Sequence, residues 1–123
     1  MQKINRIQSF QYAFYGIWHT IKTQRNAQIH LSIGAIILAI GLILDLTLTD
    51  WAILALTMGF VIAMELLNTA AESAMDLITT EFNPYVKVVK DVAAGAVLIA
   101  ALTAVVVGLL ILGPPLLDRF LIQ

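Results

Sequence analysis

The sequence predicts an all-α membrane protein with three transmembrane helices preceded by an amphipathic surface helix, assembled as an oligomeric helical bundle. Composition is the first observation: the 123-residue chain is 60% hydrophobic and only 12% charged, which is too apolar for a water-soluble domain. The second is that three apolar segments are each near the length that crosses a bilayer. We expect residues 1–123 to form one domain. With no cysteine in the sequence, disulfides and thiolate chemistry are excluded.

The predicted elements follow one another along the chain. Residues 4–26 mix aromatic and aliphatic side chains with lysine, arginine and glutamine, a pattern typical of a helix lying on a membrane surface. Apolar runs predict spans at about residues 29–46, 51–67 and 92–112. The acidic segment between the first two spans is too short for anything but a hairpin. Gly113-Pro114-Pro115 is expected to end the last helix.

The distribution of basic residues predicts the orientation. They precede the first span and recur in the second connection, whereas Arg119 follows the third span. By the positive-inside rule, the N-terminus and the loop at residues 77–91 face the cytoplasm, and the hairpin turn and C-terminus face outward. The basic residues assigned to the cytoplasmic side are Lys3, Arg6, Lys22, Arg25, Lys87 and Lys90.

A polar stripe on the second span is the most informative feature of the chain. Glu65, Asn68, Glu72 and Asp76 are spaced by three, four and four residues, which places them in a narrow arc of one helix face. If Trp51 lies at one interface, Glu65 is about 21 Å and Glu72 about 32 Å along the helix, against a hydrocarbon core of about 30 Å. The stripe therefore runs from inside the lipid to cytoplasmic water. That position suits chemistry between a membrane molecule and a soluble one.

The residues of the stripe lie at different depths in the membrane, so we expect them to have different chemical roles. Glu65 could accept a proton from a hydroxyl held at the interface, or it could simply hold helices together through hydrogen bonds. A charged residue at the centre of a span costs about 2.5–3.5 kcal/mol on insertion scales, which favours a functional interpretation. Glu72, closer to water, could hold Mg²⁺, a cation that prefers oxygen ligands shared with nucleotide phosphates. Asn68 could orient a substrate or a metal-bound water.

A second cluster lies before the third span. Lys87 and Lys90 are three residues apart and share one helix face, where they could neutralise phosphates, and Asp91 could accept hydrogen bonds. An ordinary basic anchor at the interface is the alternative. The chain has neither a Gly-x-x-x-x-Gly-Lys-Ser/Thr phosphate loop nor the sequence elements of protein kinases. His19 and His30 are too far apart for a helical metal pair, and we expect both to lie at the interface or to pack.

Small residues mark one region of the third span as a helix-packing surface. They would let helices approach closely, which predicts a homo-oligomer with its site between subunits. These residues are Ala93, Ala94, Gly95, Ala96, Ala100, Ala101 and Ala104.

Two segments carry a resemblance to a known family. ELLNTAAESAMD at residues 65–76 and KDVAAGAVL at residues 90–98 resemble the signature of the prokaryotic diacylglycerol kinase family, which includes the undecaprenol kinases of Gram-positive bacteria. The three-span layout with a surface helix extends the resemblance over nearly the whole chain. Residues 16–18 and 25–26, with Gln28 and His30, look closer to the undecaprenol-kinase branch than to the enterobacterial diacylglycerol kinases.

The resemblance implies a homotrimeric kinase of the bacterial inner membrane that moves the γ-phosphoryl group of MgATP directly to a lipid alcohol. By the matching positions, Glu65 would be the general base and Glu72 a magnesium ligand. The other implied nucleotide-binding residues are Tyr12, Gln24, Glu81, Phe82, Asn83, Lys90 and Asp91, with Asn68 and Asp76 in support. In one departure, Gln24 stands where the family usually has a second metal-binding glutamate. Its amide oxygen could ligate Mg²⁺ without adding charge.

Two non-enzymatic interpretations stay open at this point. A small oligomeric cation channel or transporter lined by Glu65 and Glu72 explains the carboxylates but leaves the basic cluster without a role. Its outer half would also be poorly polar, because residues 51–64 offer only Thr57. A purely structural assembly subunit explains neither cluster. We therefore expect a lipid kinase, with undecaprenol placed ahead of diacylglycerol as the acceptor.

Overall fold

The computed structural model describes residues 5–120, which form four α-helices. These are α1 (Arg6–Thr23), α2 (Arg25–Ile43), α3 (Leu48–Ile78) and α4 (Pro84–Phe120). Three of them, α2, α3 and α4, are long and apolar enough to cross a membrane. The predicted fold class of three spans after a separate helix is thereby confirmed. Ile4 at the start of the predicted surface helix, Lys3 in the charge count and the extreme C-terminus lie outside the described residues.

A single extended residue separates α1 from α2. Asn5 caps α1 by accepting from the backbone N–H of Gln8 at 2.8 Å, while the Gln8 side chain accepts from the Asn5 N–H at 3.0 Å. The helix ends at Thr23, and Gln24 takes an extended conformation while its N–H still donates to the Thr20 carbonyl at 2.8 Å. Because α2 begins at Arg25, the first span starts four residues earlier than the predicted residue 29.

The turn between α2 and α3 is a short hairpin, as predicted. Asp45 adopts a left-handed conformation with φ of 49°, which reverses the chain after α2 ends at Ile43. Thr47 then caps α3, accepting from the Asp50 N–H at 3.2 Å, and the Asp50 carboxylate accepts from the Thr47 N–H at 3.0 Å. This capping box starts α3 at Leu48, three residues before the predicted span, and leaves Leu44 to Thr47 as the turn.

The expectation that Gly113-Pro114-Pro115 ends the last helix is wrong, because α4 continues through both prolines. A proline ring is compatible with helical φ and removes a hydrogen bond to the preceding turn. Packing on both sides of the prolines outweighs that loss. Leu112 is buried with Leu44 and Leu54, and Leu116 packs against the same cluster. Beyond it, the Arg119 Nη1 donates to the Ile43 carbonyl at 2.8 Å, which satisfies a free carbonyl at the end of α2.

The packing of α3 against α4 is the most extensive in the chain, and these helices are antiparallel. Leu54 near the start of α3 contacts Leu112 near the end of α4. At the other end of the pair, Lys90 near the start of α4 reaches Asp76 near the end of α3. The buried residues at the Leu54 end are apolar, whereas those toward the Asp76 end include carboxylate, amide and hydroxyl groups. The fold thus has an apolar end and a polar end, and the candidate site lies at the polar one.

We predict that Gly41→Ala destabilises the helix pair α2–α3 relative to Gly34→Ala. A Cβ at Gly41 would lie 2.8 Å from the rigid Trp51 ring, whereas a Cβ at Gly34 would lie 3.7 Å from the flexible Met58 side chain. Both substitutions gain the same helix propensity, so their difference reports the clash, at about 1–3 kcal/mol. The measurement is reversible unfolding in detergent micelles followed by circular dichroism. Equal stabilities of the two variants would contradict the close approach of α2 and α3.

Candidate active site

The polar stripe of α3 is buried at its membrane end. Glu65 is only 1% exposed, and Asn68 and Thr69 are also buried. The Thr69 hydroxyl donates to the Glu65 backbone carbonyl at 2.8 Å and so forms no hydrogen bond with the Glu65 carboxylate. One turn further, the Asn68 Nδ2 donates to Glu72 Oε1 at 3.2 Å. The stripe predicted from spacing is therefore present on one face of α3, with Asn68 and Glu72 hydrogen-bonded to each other and its most buried member, Glu65, inside the bundle.

A histidine of α2 lies against the buried carboxylate. His30 Nε2 is 3.2 Å from Glu65 Oε1, and its side chain is 21% exposed while that of Glu65 is 2% exposed. From the sequence, His30 was expected only to pack or to lie at the interface, and this contact was not predicted. A signal was available, because ionisable residues inside membrane spans are functional candidates by default. The pairing itself could not be seen in the sequence, since 35 residues separate the two positions.

Gln24, the residue between α1 and α2, faces Glu72. The Gln24 Nε2 lies 3.5 Å from Glu72 Oε2, while Asn68 donates to the other oxygen of the same carboxylate. The family resemblance implied that Gln24 and Glu72 share one metal site, and in the structure the two side chains lie next to each other. In the described structure the amide nitrogen, and not the oxygen, faces Glu72. A half-turn about the last side-chain bond exchanges the two amide atoms.

A polar cavity of about 300 Å³ lies next to this row. Asn26 and His30 of α2 form one wall, and Asn68 and Glu72 of α3 form another. The small residues of α4 leave the space open on the third side. Those that line it, together with two larger neighbours, are Ala94, Val97, Leu98 and Ala101. Residues from three helices thus enclose a space with one carboxylate, two amides and an imidazole.

An apolar cavity of about 570 Å³ lies between α2 and α3. His30 lines this cavity as well, at its junction with the polar one. Its other walls are almost entirely hydrocarbon and include Gly34, Met58, Val61 and Leu66. An almost entirely apolar cavity and one with several polar groups therefore share one histidine, which contacts the Glu65 side chain, and Glu65 lines neither cavity.

The basic cluster forms ion pairs at the polar end of the bundle. Lys90 Nζ lies 2.6 Å from Asp76 Oδ1, and Lys87 pairs with Asp91 one turn further along α4. The side chains of Lys90 and Asp76 are 37% and 60% exposed. Exposed pairs of this kind contribute about 0–1 kcal/mol, so both charges can be redirected to a ligand at little cost. The structure thereby connects the predicted supporting residue Asp76 to Lys90.

The remaining predicted nucleotide contacts line neither of the two cavities. Tyr12 is exposed on α1, and Glu81 and Phe82 are exposed in the turn between α3 and α4. Asn83 has a structural task, since its side-chain oxygen accepts from the Tyr85 N–H at 2.9 Å and caps α4. These residues stay predictions as ligand contacts.

No group of three or more histidine, aspartate or glutamate side chains within residues 5–120 could hold a metal ion by itself. The oxygen donors near the polar cavity are the Glu72 carboxylate and the amides of Gln24, Asn26 and Asn68. Asn68 Oδ1 is buried and accepts no hydrogen bond from the described part of the chain. A set of one carboxylate and neutral oxygens fits Mg²⁺, which keeps several waters and shares its protein ligands with substrate phosphates.

The comparison with known proteins decides the family. Residues 11–112 match the family of prokaryotic diacylglycerol kinases, which is most of the chain. The chain belongs to this family. The matched region contains α2, α3, most of α1 and nearly all of the apolar part of α4.

Individual relatives of this diacylglycerol kinase family member carry two names. The undecaprenol kinase of Bacillus subtilis (strain 168) is 42% identical over 115 residues, covering 93% of this chain and 94% of that protein. The diacylglycerol kinase of Synechocystis is 45% identical over 115 residues, covering 93% of this chain and 66% of that protein. A diacylglycerol kinase of Helicobacter pylori is 38% identical over 69 residues, covering 56% of this chain and 52% of that protein. No solved structure matches the chain significantly.

We predict that the Lys90–Asp76 pair contributes little to folding. A double-mutant cycle of Asp76→Asn and Lys90→Gln should give a coupling below about 1 kcal/mol, because both side chains are solvated. The measurement is the free energy of unfolding of the four proteins in detergent micelles. A coupling well above that value would show a pair committed to structure, and Lys90 would then be unavailable to a ligand.

Proposed function

We propose that this chain is an ATP-dependent lipid kinase that transfers the γ-phosphoryl group directly, in line, to the hydroxyl of a membrane lipid alcohol. Membership of the family and the names of its relatives support the reaction class. The observation that carries the proposal for this structure is the meeting of the polar and apolar cavities at His30, beside the buried carboxylate of Glu65. A lipid and a phosphate donor need such opposite environments side by side.

The apolar cavity is the proposed place for the hydrocarbon chain of the acceptor. Its walls are hydrocarbon, and it ends at the polar cavity, so a chain lying there would bring its terminal hydroxyl to the Glu65 region. We place undecaprenol ahead of diacylglycerol. The relative named undecaprenol kinase is matched over 94% of its length, against 66% for the Synechocystis diacylglycerol kinase.

Glu65 is the proposed general base. Among the carboxylates of the α3 stripe, Glu72 already accepts from Asn68 and Asp76 is paired with Lys90. Glu65 accepts no hydrogen bond at its buried Oε1 from the described residues. It is also the carboxylate adjacent to the junction of the two cavities, where the acceptor hydroxyl would arrive. A positioned base of this kind contributes about 10²–10⁴-fold to a rate.

Glu72 and Gln24 are the proposed holders of Mg²⁺ on the nucleotide side. When bound, the cation would neutralise charge on the phosphate oxygens. Glu72 would ligate through its carboxylate, and Gln24 would turn its amide oxygen inward, with Asn68 orienting the carboxylate. Lys90 would leave Asp76 for a phosphate, and Asp91 would accept from the nucleotide. Tyr12, Glu81, Phe82 and Asn83 are proposed as peripheral nucleotide contacts.

The proposed working unit is a homotrimer in the bacterial inner membrane, with residues 1–123 as one kinase domain. The single chain leaves large apolar side chains exposed along α2, α3 and α4, a surface that neighbouring subunits could cover together with lipid. The polar cavity is walled by one subunit's helices but open to its surroundings, which is compatible with completion by a neighbour. We keep the orientation with α1 and the active site cytoplasmic and the C-terminus outside.

The cation channel lined by Glu65 and Glu72 receives no support from the geometry. An ion path needs its carboxylates exposed to an aqueous cavity, and Glu65 is 1% exposed and lines neither cavity. The apolar half of α3 offers Thr57, whose hydroxyl donates to its own helix at 2.7 Å.

The kinase activity is tested with purified protein in detergent micelles, labelled MgATP, and undecaprenol and diacylglycerol assayed side by side. The wild type should label undecaprenol in preference. Glu65→Gln should lower kcat by about 10²–10⁴-fold, because the amide cannot accept the proton. Nucleotide binding should be retained. Thr57→Val is the matched control within α3 and should transfer phosphate at the wild-type rate.

A wild type that phosphorylates neither lipid, nor any other long-chain alcohol, would remove the proposed reaction. Full activity of the Glu65→Gln protein would be consistent with the proposed reaction but would show that Glu65 is not its general base.

The magnesium site is tested by the metal dependence of the same assay. Glu72→Gln should raise the Mg²⁺ concentration for half-maximal activity, because it removes the negative ligand. Gln24→Glu should lower that concentration, since it adds a second carboxylate to the same site. Asp118→Asn makes an acid-to-amide change near the end of α4, far from the polar cavity. This control should not alter the Mg²⁺ concentration for half-maximal activity. An unchanged Mg²⁺ dependence in both site variants would exclude Glu72 and Gln24 as ligands.

A further inference from the structure

His30 occupies a place in the site that no other described side chain shares. It lines both the apolar and the polar cavity, and its Nε2 lies 3.2 Å from Glu65 Oε1. Glu65 itself is 1% exposed and lines neither cavity. His30 is therefore a side chain that borders both cavities and also contacts the buried carboxylate.

The Glu65 carboxylate has few other means of being held in place. Within the described residues, the hydroxyl of Thr69 bonds to the Glu65 backbone and the amide of Asn68 bonds to Glu72, so neither orients the Glu65 side chain. Glu65 Oε1 is buried without a well-formed hydrogen bond. A glutamate has three rotatable side-chain bonds, and a base must be held in a defined geometry to be effective. His30 is the neighbour with a nitrogen at the right distance to do this.

We propose that His30 is a positioning residue that holds the Glu65 carboxylate through its Nε2 and sets the point at which the acceptor hydroxyl reaches the base. The catalytic part of this inference rests on the proposed kinase function, whereas the contact between His30 and Glu65 does not.

The contact is tested without any activity measurement. The chain has only two histidines, so ¹⁵N-histidine labelling in detergent micelles gives two imidazole spin systems, and His19→Leu assigns them. Glu65→Gln should shift the Nε2 resonance of His30 and change its tautomer balance, while the resonances of His19 on α1 stay in place. A His30 imidazole that does not respond to Glu65→Gln would overturn the proposal.

The catalytic consequence is tested by separating kcat from KM. His30→Leu should lower kcat by about 10²-fold, the size expected for misplacing a reacting group by about 1 Å, with KM for MgATP unchanged. His30→Gln should recover a large part of kcat, because its amide N–H can replace Nε2–H. His19→Leu should match the wild type. Thermal unfolding of each variant separates loss of fold from loss of positioning.

Equal kcat for His30→Leu and wild type would overturn the positioning role even where the resonance shift is seen. Equal loss in His30→Leu and His30→Gln would also overturn it, since a donor would then not matter. A wild type without kinase activity would instead remove the proposed function, and the ¹⁵N experiment would still decide whether His30 holds Glu65.

Discussion

The burial of one carboxylate inside an otherwise apolar helix is the constraint on which the rest of the structure depends. Glu65 is 1% exposed within a helix that is long and apolar enough to cross a membrane. A carboxylate in such a place needs polar neighbours, because no water is present to solvate it. The neighbour in contact with it is His30 of α2, while Asn68 and Glu72 follow on the same face of α3 and bond to each other. The bundle must therefore bring α2 to the polar face of α3.

The apolar end of the bundle makes that arrangement possible. Leu44, Leu54 and Leu112 pack at the end away from the polar groups, and Arg119 ties α4 to the last carbonyls of α2. Gly41 lets α2 approach Trp51 closely at the same end. With the apolar end held together, small residues of α4 leave space at the other end, where the polar cavity opens. The apolar core cluster and the candidate site thus lie at opposite ends of the same helices.

Local signals account for what could be predicted of the fold. Apolar length predicted the three spans, and the short acidic segment predicted the hairpin, because each depends only on neighbouring residues. The helix ends were less accurate. A capping box at Thr47 and the lone extended residue Gln24 moved the starts of α3 and α2, and packing around Leu112 and Leu116 carried α4 through Pro114 and Pro115. Tertiary contacts outweighed the helix-breaking tendency of proline, and the strength of those contacts could not be predicted from the sequence.

By itself the sequence determined the class of the protein, its spans and the face of α3 that carries Glu65, Asn68, Glu72 and Asp76, since helical periodicity converts spacing into direction. Its motifs also led to the family that the comparison then showed. Only the tertiary structure decided which groups meet across helices. It placed Gln24 at Glu72, Lys90 at Asp76 and His30 at Glu65, and it opened two cavities of opposite polarity on either side of His30. These pairings join residues 14 to 48 positions apart, and no periodicity within one helix specifies how separate helices pack.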